Sequence, residues 1–477
     1  MGGASGILGD GKKAVKIHHL VKAPENTPQS ISRRESWDAT KPATVYKTPE
    51  MLQDGTSCTA ATVILRTRGC VWWWKSGCTF CGYFNDVRDD VTANDLFAQW
   101  EESKRLTNDF EGCKMVKVYT SGTFFEDQEN PPEWQEMVLK ETYERGLELV
   151  VEAQAHLCNP EKLAWVAERH PGCTVAIGLE AYDDTVLRFH CNKGFSTKTW
   201  RKSVDNLREA GLRVKTYLLF KPPFMSEGDA LNLTSKWLEQ VAPLSDEVSI
   251  NPMNIQKNTV VDRIFRNREY RPPWLWSLVE MIERTHDQII DSDCRTIVHP
   301  TAGGRIRGAH NCKKCDAEVV AAIERYSVSR DLREFKGLDC ECKKVWKTEI
   351  ENDLSLPVPK FKSPPTLVLP LEPTKGGFMG MNFHYLPPLL RFRLLERMQA
   401  TASDRRFDKN TRFEVAYDDV KNVKIVKPTI KKYLYSYVQT GFLRINADEA
   451  ATAIYLPVQR FKKASVGQVY ADSRRFI

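Results

Sequence analysis

Between residues 61 and 300, short apolar runs alternate with stretches whose apolar residues recur every three or four positions. The runs Thr62–Leu65, Met115–Tyr119, Leu147–Glu152, Thr174–Gly178, Val214–Leu219 and Val248–Asn251 predict strands. The intervening stretches predict amphipathic helices. Thr92 can cap one, with Asp95 at its third position and Leu96, Phe97 and Trp100 facing inward. Trp200, Val204 and Leu207 form the stripe of another, stopped by Gly211, and Ser226 can cap a third. Six successive βα units imply parallel strands, and a partial (β/α)6 barrel accommodates them. In such a fold, functional side chains collect at the carboxyl ends of the strands.

The flanks have other textures. Residues 1–60 are polar and interrupted by Pro24, Pro28, Pro42 and Pro49, which predicts an extended N-terminal arm. Residues 61–300 would form the barrel and 301–350 a Cys-rich metal-binding module. Residues 351–374 hold six prolines and read as a linker. Residues 375–477 would form a basic α+β domain, with helices over Leu389–Met398 and Ile430–Val438 and strands at Phe442–Ile445 and Thr452–Leu456. The predicted fold class is thus α/β: a partial (β/α)6 barrel, a small metal-binding module and a C-terminal α+β domain.

Composition narrows the class of protein. A 42% hydrophobic, 27% charged chain of 477 residues is ordinary for a soluble protein. No apolar run approaches the length of a membrane span, and Met1-Gly2-Gly3-Ala4-Ser5 does not open a signal peptide. Thirteen cysteines without an export signal predict reduced thiols and metal ligation in a cytoplasmic protein. The net charge of +7 is uneven: from Glu351 onward there are 21 Lys and Arg against 12 Asp and Glu. A basic segment attracts phosphate backbones, although a solvated basic surface is the commoner meaning.

The densest chemistry follows the first strand. Cys70, Cys78 and Cys81 form a C-x7-C-x2-C pattern in Arg66-Thr67-Arg68-Gly69-Cys70-Val71-Trp72-Trp73-Trp74-Lys75-Ser76-Gly77-Cys78-Thr79-Phe80-Cys81-Gly82-Tyr83. Three thiolates without a near fourth suit an iron–sulfur cluster with one open iron. Zinc with an open position and a buried packing cluster are the alternatives. The stretch resembles the radical SAM superfamily, whose usual C-x3-C-x2-C spacing has an aromatic before the last cysteine, as Phe80 is here. The first loop is longer than that pattern. Expanded loops occur in the branch holding the Elongator catalytic subunit and the archaeosine-synthesis radical SAM lyase, and R-T-R-G-C…G-C-T-F-C-G-Y is most similar to the latter.

The resemblance implies a [4Fe–4S] cluster on Cys70, Cys78 and Cys81, and S-adenosylmethionine as cofactor. The superfamily carries a Gly-Gly-Glu-like turn after the second strand, and the resemblance places Gly122 of Thr120-Ser121-Gly122-Thr123 there. Cofactor contacts are also expected from Glu152, beside Gln154 at the end of the third strand, from Gly178 and Glu180 at the end of the fourth, whose Gly-Leu-Glu…Lys193-Gly194 run is similar to that of the Elongator-like branch, and from Lys215, which with Tyr217 starts the fifth. The sequence shows a single glycine and no matching glutamate at the turn.

Cys312, Cys315, Cys340 and Cys342 supply four further thiolates in C-x2-C and C-x-C pairs. Four protein ligands suit a closed structural zinc site, with His310 able to replace one of them. A second iron–sulfur cluster and four free thiols are the alternatives.

The resemblance to the archaeosine lyase implies a radical reaction on tRNA: conversion of a lysine-bearing 7-deazaguanine in the D-arm to archaeosine. The implied partners are tRNA, the enzyme that attaches the lysine and an electron donor. Three other readings compete: Elongator-like modification of wobble uridine, a deazaguanine DNA-modifying enzyme, and a non-catalytic zinc protein that binds tRNA. The Elongator reading lacks the Gly-rich acetyl-coenzyme A loop in residues 351–477.

Overall fold

A computed structural model describes residues 37–266, 270–290, 292–355, 367–386, 390–391, 393–396, 398 and 417–435. These fall into two compact units, one ending at Lys347 and the other running from Thr348. None of the described helices is long and apolar enough to cross a membrane.

The larger unit is built on an eight-stranded sheet in sequential order: β1 Thr44–Met51, β2 Ser57–Ile64, β3 Met115–Tyr119, β4 Glu148–Ala153, β5 Thr174–Glu180, β6 Arg213–Phe220, β7 Glu247–Pro252 and β8 Arg295–Val298. From β2 to β8 every neighbouring pair is parallel. This is the curled half-barrel of the radical SAM fold, with the six predicted strands at its centre. Two strands extend it. The N-terminal arm contributes β1, antiparallel to β2. Its polar pattern and Pro49 hid it, and both are compatible with a strand at a sheet edge. At the other edge lies the four-residue β8.

Local chemistry sets the helix starts. Thr92 and Asp95 form a reciprocal capping box on the helix Ala93–Leu106. Ser226 accepts from the Asp229 amide at the start of Glu227–Val241. Trp200, Val204 and Leu207 are buried on the helix Thr197–Glu209, and Gly211, with φ +69°, follows it. Trp100, Trp134 and Trp200 are the largest fully buried side chains on the barrel helices that precede β6.

The barrel interior is layered along the strand axis. Ala60, Met115, Val150 and Ala176 form an apolar floor against Leu52 and Cys58 of the β1–β2 hairpin. Beside it is a cavity of about 310 Å³ whose lining includes Glu50, Lys117, Lys215, Glu247 and Arg295. These charges pair: Lys117 with Glu50, Lys215 with Glu247 at 2.6 Å, and Arg295 with Glu247 at 3.4 Å.

In the second unit, β9 Val368–Thr374, β10 Gly377–Asn382 and β11 Ile430–Leu434 form an antiparallel sheet with β10 central. Two expectations change here. The end of the proline-rich linker is an edge strand, the position where Pro370 and Pro373 cost no central ladder bond. Ile430–Leu434 is a strand rather than the start of a helix; its β-branched and aromatic residues pack on the pleated surface. Leu390, Leu394, Leu395 and Met398 join Met381, Phe383, Val426 and Ile430 in the core of this unit. The strands expected at Phe442–Ile445 and Thr452–Leu456 lie outside the described residues.

Candidate active site and metal centres

The loop after β2 leaves the carboxyl end of the sheet and is held from several directions. Gln99 accepts from the Arg66 amide and donates to the Arg66 carbonyl, both at 2.8 Å. Gly69 has φ +81°, and a Cβ there would lie 2.6 Å from Val87 Cγ1, so only glycine fits. Cys70 caps the short helix Val71–Lys75. Trp72 donates to the Asn192 carbonyl at 2.7 Å, and the Asn192 amide returns a bond to the Gly77 carbonyl at 2.6 Å. The Thr79 amide donates to the Cys191 carbonyl at 3.0 Å. The stretch after β5 thus clamps the loop that carries Cys78 and Cys81.

The three thiols lie within electrostatic reach of one another. Burial pushes the Cys78 thiol far up and the Cys81 thiol to about 12, as expected of ligands desolvated before a positive centre arrives. Among the described residues, the group of thiols packed within 4.8 Å of one another is a different one. The Gln154 amide group lies 2.7 Å from Cys70 Sγ, a contact of the kind by which hydrogen bonds to sulfur tune a cluster.

Gly122 lies against this loop. A Cβ there would lie 2.7 Å from the Cys70 amide nitrogen and would collide with the Glu129 carboxylate. Glu129 brings a carboxylate to this turn. It is buried, takes the Thr123 amide at 2.8 Å, and takes the Thr67 hydroxyl, so it ties the cysteine loop to the end of β3. Burial raises its pKa to about 7 against the pull of those donors. It lies seven positions beyond Gly122, in Glu129-Asn130-Pro131-Pro132, where it reads as an acidic residue before a helix.

The other expected residues divide between two levels of the barrel. Glu180 ends β5 at φ +70° in a bulge and pairs with Lys193 at 3.1 Å. A Cβ on Gly178 would lie 2.7 Å from the Glu180 carboxylate, so Gly178 makes room for that pair. Burial raises Glu152 to about 7, partly offset by a hydrogen bond from Tyr217, whose hydroxyl is 3.4 Å from that of Tyr119. Phe80 is partly buried. Lys215 lies deeper, in its pair with Glu247 beside the floor cavity.

The packed group of thiols is Cys312, Cys315, Cys340 and Cys342, all within 4.8 Å. The Cys312–Cys340 and Cys315–Cys342 sulfurs are each 3.6 Å apart. Trp276 Nε1 donates to Cys342 Sγ at 3.2 Å, and Asn311 Nδ2 to Cys315 Sγ at 3.5 Å. Burial raises the Cys312 thiol, but the Lys314 and Cys315 amides, together with the Cys342 and Cys340 thiols, outweigh it and bring the pKa to about 7. His310 is outside the group, with Nδ1 at 2.8 Å from the Gly308 carbonyl. Four sulfurs at this separation fit one tetrahedral ion closed to solvent ligands.

Comparison with known proteins agrees with this architecture. The radical SAM superfamily model matches residues 64–234. A model described as phage T4 terminal DNA protecting protein matches residues 370–476. The archaeosine synthase subunit beta of Methanosarcina acetivorans is 31% identical over 348 residues, covering 71% of this chain and 95% of that protein. Its namesake in Thermococcus kodakarensis is 32% identical over 317 residues, covering 65% and 97%. Among solved structures, Elp3 of Methanocaldococcus infernus aligns over 61% of this chain and 70% of its own, with 17% identity and a TM-score of 0.38. The chain belongs to the archaeosine synthase subunit beta family of radical SAM enzymes.

Proposed function

We propose that this enzyme is the lyase that breaks a carbon–nitrogen bond in a lysine-bearing 7-deazaguanine of the tRNA D-arm, leaving the formamidine of archaeosine. The observation that carries this reading is the identity to an archaeosine synthase subunit over nearly that subunit's whole length, joined to a cysteine loop at the strand ends. Cys70, Cys78 and Cys81 would hold the [4Fe–4S] cluster. Gly122, Gly178 and Glu180, with Phe80 in the loop, would border S-adenosylmethionine. When bound, the pair supplies a 5′-deoxyadenosyl radical, and the cofactor brings the difficult chemistry.

The chain's own residues orient and enclose. Glu129 fixes the turn at Gly122 against Cys70, and Lys193 neutralises Glu180 beside the thiols. Lys215 would support the barrel floor through Glu247. The Cys312–Cys342 group would hold zinc as a structural ion. A partner subunit that attaches the lysine and an external electron donor complete the system.

The test is anaerobic reconstitution with tRNA carrying the lysine-bearing base, followed by mass spectrometry of the nucleosides. Archaeosine together with 5′-deoxyadenosine supports the reading. S-adenosylmethionine cleavage that leaves the base unchanged contradicts it.

The C-terminal match to a phage DNA-protecting model favours a second substrate class, a modified deazaguanine in DNA. The excess of positive charge from Glu351 onward suits either polyanion. The same assay on duplex and single-stranded DNA decides between them.

A further inference from the structure

Trp72, Trp73 and Trp74 follow one another on the short helix Val71–Lys75 and have different destinations. Trp72 packs on the stretch after β5. Its indole donates to the Asn192 carbonyl at 2.7 Å, and a Cβ on Gly194 would lie 2.8 Å from its ring. Trp73 stacks on the buried Phe84, with centroids 5.0 Å apart and planes 9° from parallel. Trp74 stays 47% exposed, yet it is pinned. Its Nε1 donates to the Arg68 carbonyl at 3.1 Å, and its ring meets Trp73 edge to face at 4.6 Å. A large apolar ring left in water forgoes the burial that stabilises its neighbours. Here two contacts fix its orientation all the same.

The position of this ring points to its ligand. The Trp74 amide donates to the Cys70 carbonyl at 3.3 Å, so the indole stands one helical turn from Cys70. Tyr83, two residues after Cys81, is 59% exposed and adjoins Phe84. Trp74, Trp73, Phe84 and Tyr83 are thus neighbours in space or in sequence, and the aromatic surface spans the loop that carries the three thiols. Arg68 and Lys257 are exposed at its edge. Asn85 Nδ2 donates to the Lys257 carbonyl at 3.0 Å, which brings the loop after β7 to the turn of Tyr83. Arg88 takes Asp90. Asp86 and Asp89 lie in the same stretch, so the local charge is close to balanced and the rings define the surface. An enzyme that acts on a base draws it out of its stack. The base next to it then lacks a partner, and an aromatic side chain replaces that partner whatever the sequence.

We propose that Trp74 and Tyr83 form a stacking platform for unpaired nucleotides flanking the target base of the tRNA, with Arg68 and Lys257 placed for the adjoining phosphates. This rests on the reading of a tRNA base as the substrate, and it adds which face of the enzyme receives the strand.

The test uses the full chain with both metal sites loaded and two RNA probes of one sequence, a single strand carrying 2-aminopurine and the matching duplex. Wild type should bind the single strand more tightly and quench its fluorescence by stacking. Trp74→Ala should weaken single-strand binding by about tenfold or more and remove the quenching. The salt dependence of binding should not change, because no phosphate contact is lost. Trp74→Phe should restore most of the affinity. Tyr143→Ala is the control. Tyr143 is 52% exposed as well, but it lies near the end of the helix Pro132–Glu144 that leads into β4, at the opposite end of the strands. That variant should bind as wild type does. Single-strand affinity and quenching untouched by Trp74→Ala overturn the proposal. So does an equal loss for the duplex with a shallower salt dependence, which marks a phosphate contact.

Iron content and S-adenosylmethionine affinity report whether the cysteine loop survives. If Trp74→Ala loses them, Trp74→Leu takes its place, since leucine suits a helix and has no aromatic face. The same loss of binding and quenching is expected, and Trp74→Leu behaving as wild type overturns the platform. Trp74-dependent stacking with no archaeosine formed from lysine-bearing tRNA upholds the platform and removes the lyase reading. Archaeosine formed with a KM for tRNA untouched by Trp74→Ala does the reverse.

Discussion

The two cysteine sites are built on opposite plans. Cys312, Cys315, Cys340 and Cys342 converge within 4.8 Å, with Trp276 and Asn311 donating to two of the sulfurs. Every ligand position around one ion is filled by protein, which suits a structural role. Cys70, Cys78 and Cys81 are spread along a loop at the carboxyl ends of the strands, backed by Gln154 and by a turn that excludes a Cβ at Gly122. That arrangement is the one proposed here for a cluster with an open iron. On the proposed reading the same residue type serves closure in one place and access in the other.

The difference can be broken most sharply by removing ligands. Alanine at Cys70, Cys78 and Cys81 together should abolish cluster iron and cut 5′-deoxyadenosine formation by about 10⁶-fold or more, with the zinc content unchanged. Cys342→Ala should do the opposite. Zinc should be lost, and thermal unfolding should show destabilisation of about 5 kcal/mol or more, since metal binding is coupled to folding. Cluster formation by the surviving folded fraction should be intact.

Smaller changes sharpen the comparison. Gly122→Ala should leave iron and zinc at wild-type levels but slow turnover about a hundredfold, because the new methyl displaces the Cys70 loop; the readout is turnover at saturating S-adenosylmethionine. The smallest effect is a pH dependence. Glu129 has its folded pKa raised by burial to about 7, so the native state holds a proton that the unfolded state releases near pH 4.5. Stability should therefore fall as pH rises between those values, by roughly 3 kcal/mol for this group. Glu129→Gln should flatten that slope in chemical denaturation; Glu152 supplies a comparable remainder.

Strong local patterns were legible. The six central strands are runs of Val, Ile and Leu, and their helices carry capping residues such as Thr92 and Ser226 where the chain turns. The convergence of Cys312, Cys315, Cys340 and Cys342 could be read from spacing, because they fall in two close pairs. Long-range partners were hidden. Glu129 meets Thr67 across 62 positions and Gln154 meets Cys70 across 84, and nothing local marks either. The edge strand β1 was masked by its proline, and Ile430–Leu434 by an apolar pattern short enough to suit a helix as well. Lys215 could be placed at the start of its strand, but its partner Glu247 lies on the next strand, and nothing local marks that pairing.

The central claim is that the two sites hold different metals for different purposes. Metal and sulfide analysis, with electron paramagnetic resonance, on one anaerobically purified sample of the full chain tests it directly. The predicted result is about four iron atoms with matching sulfide and one zinc ion per chain, and a reduced-cluster signal that changes when S-adenosylmethionine is added. Two iron–sulfur clusters, or zinc alone with no signal that responds to S-adenosylmethionine, would contradict it.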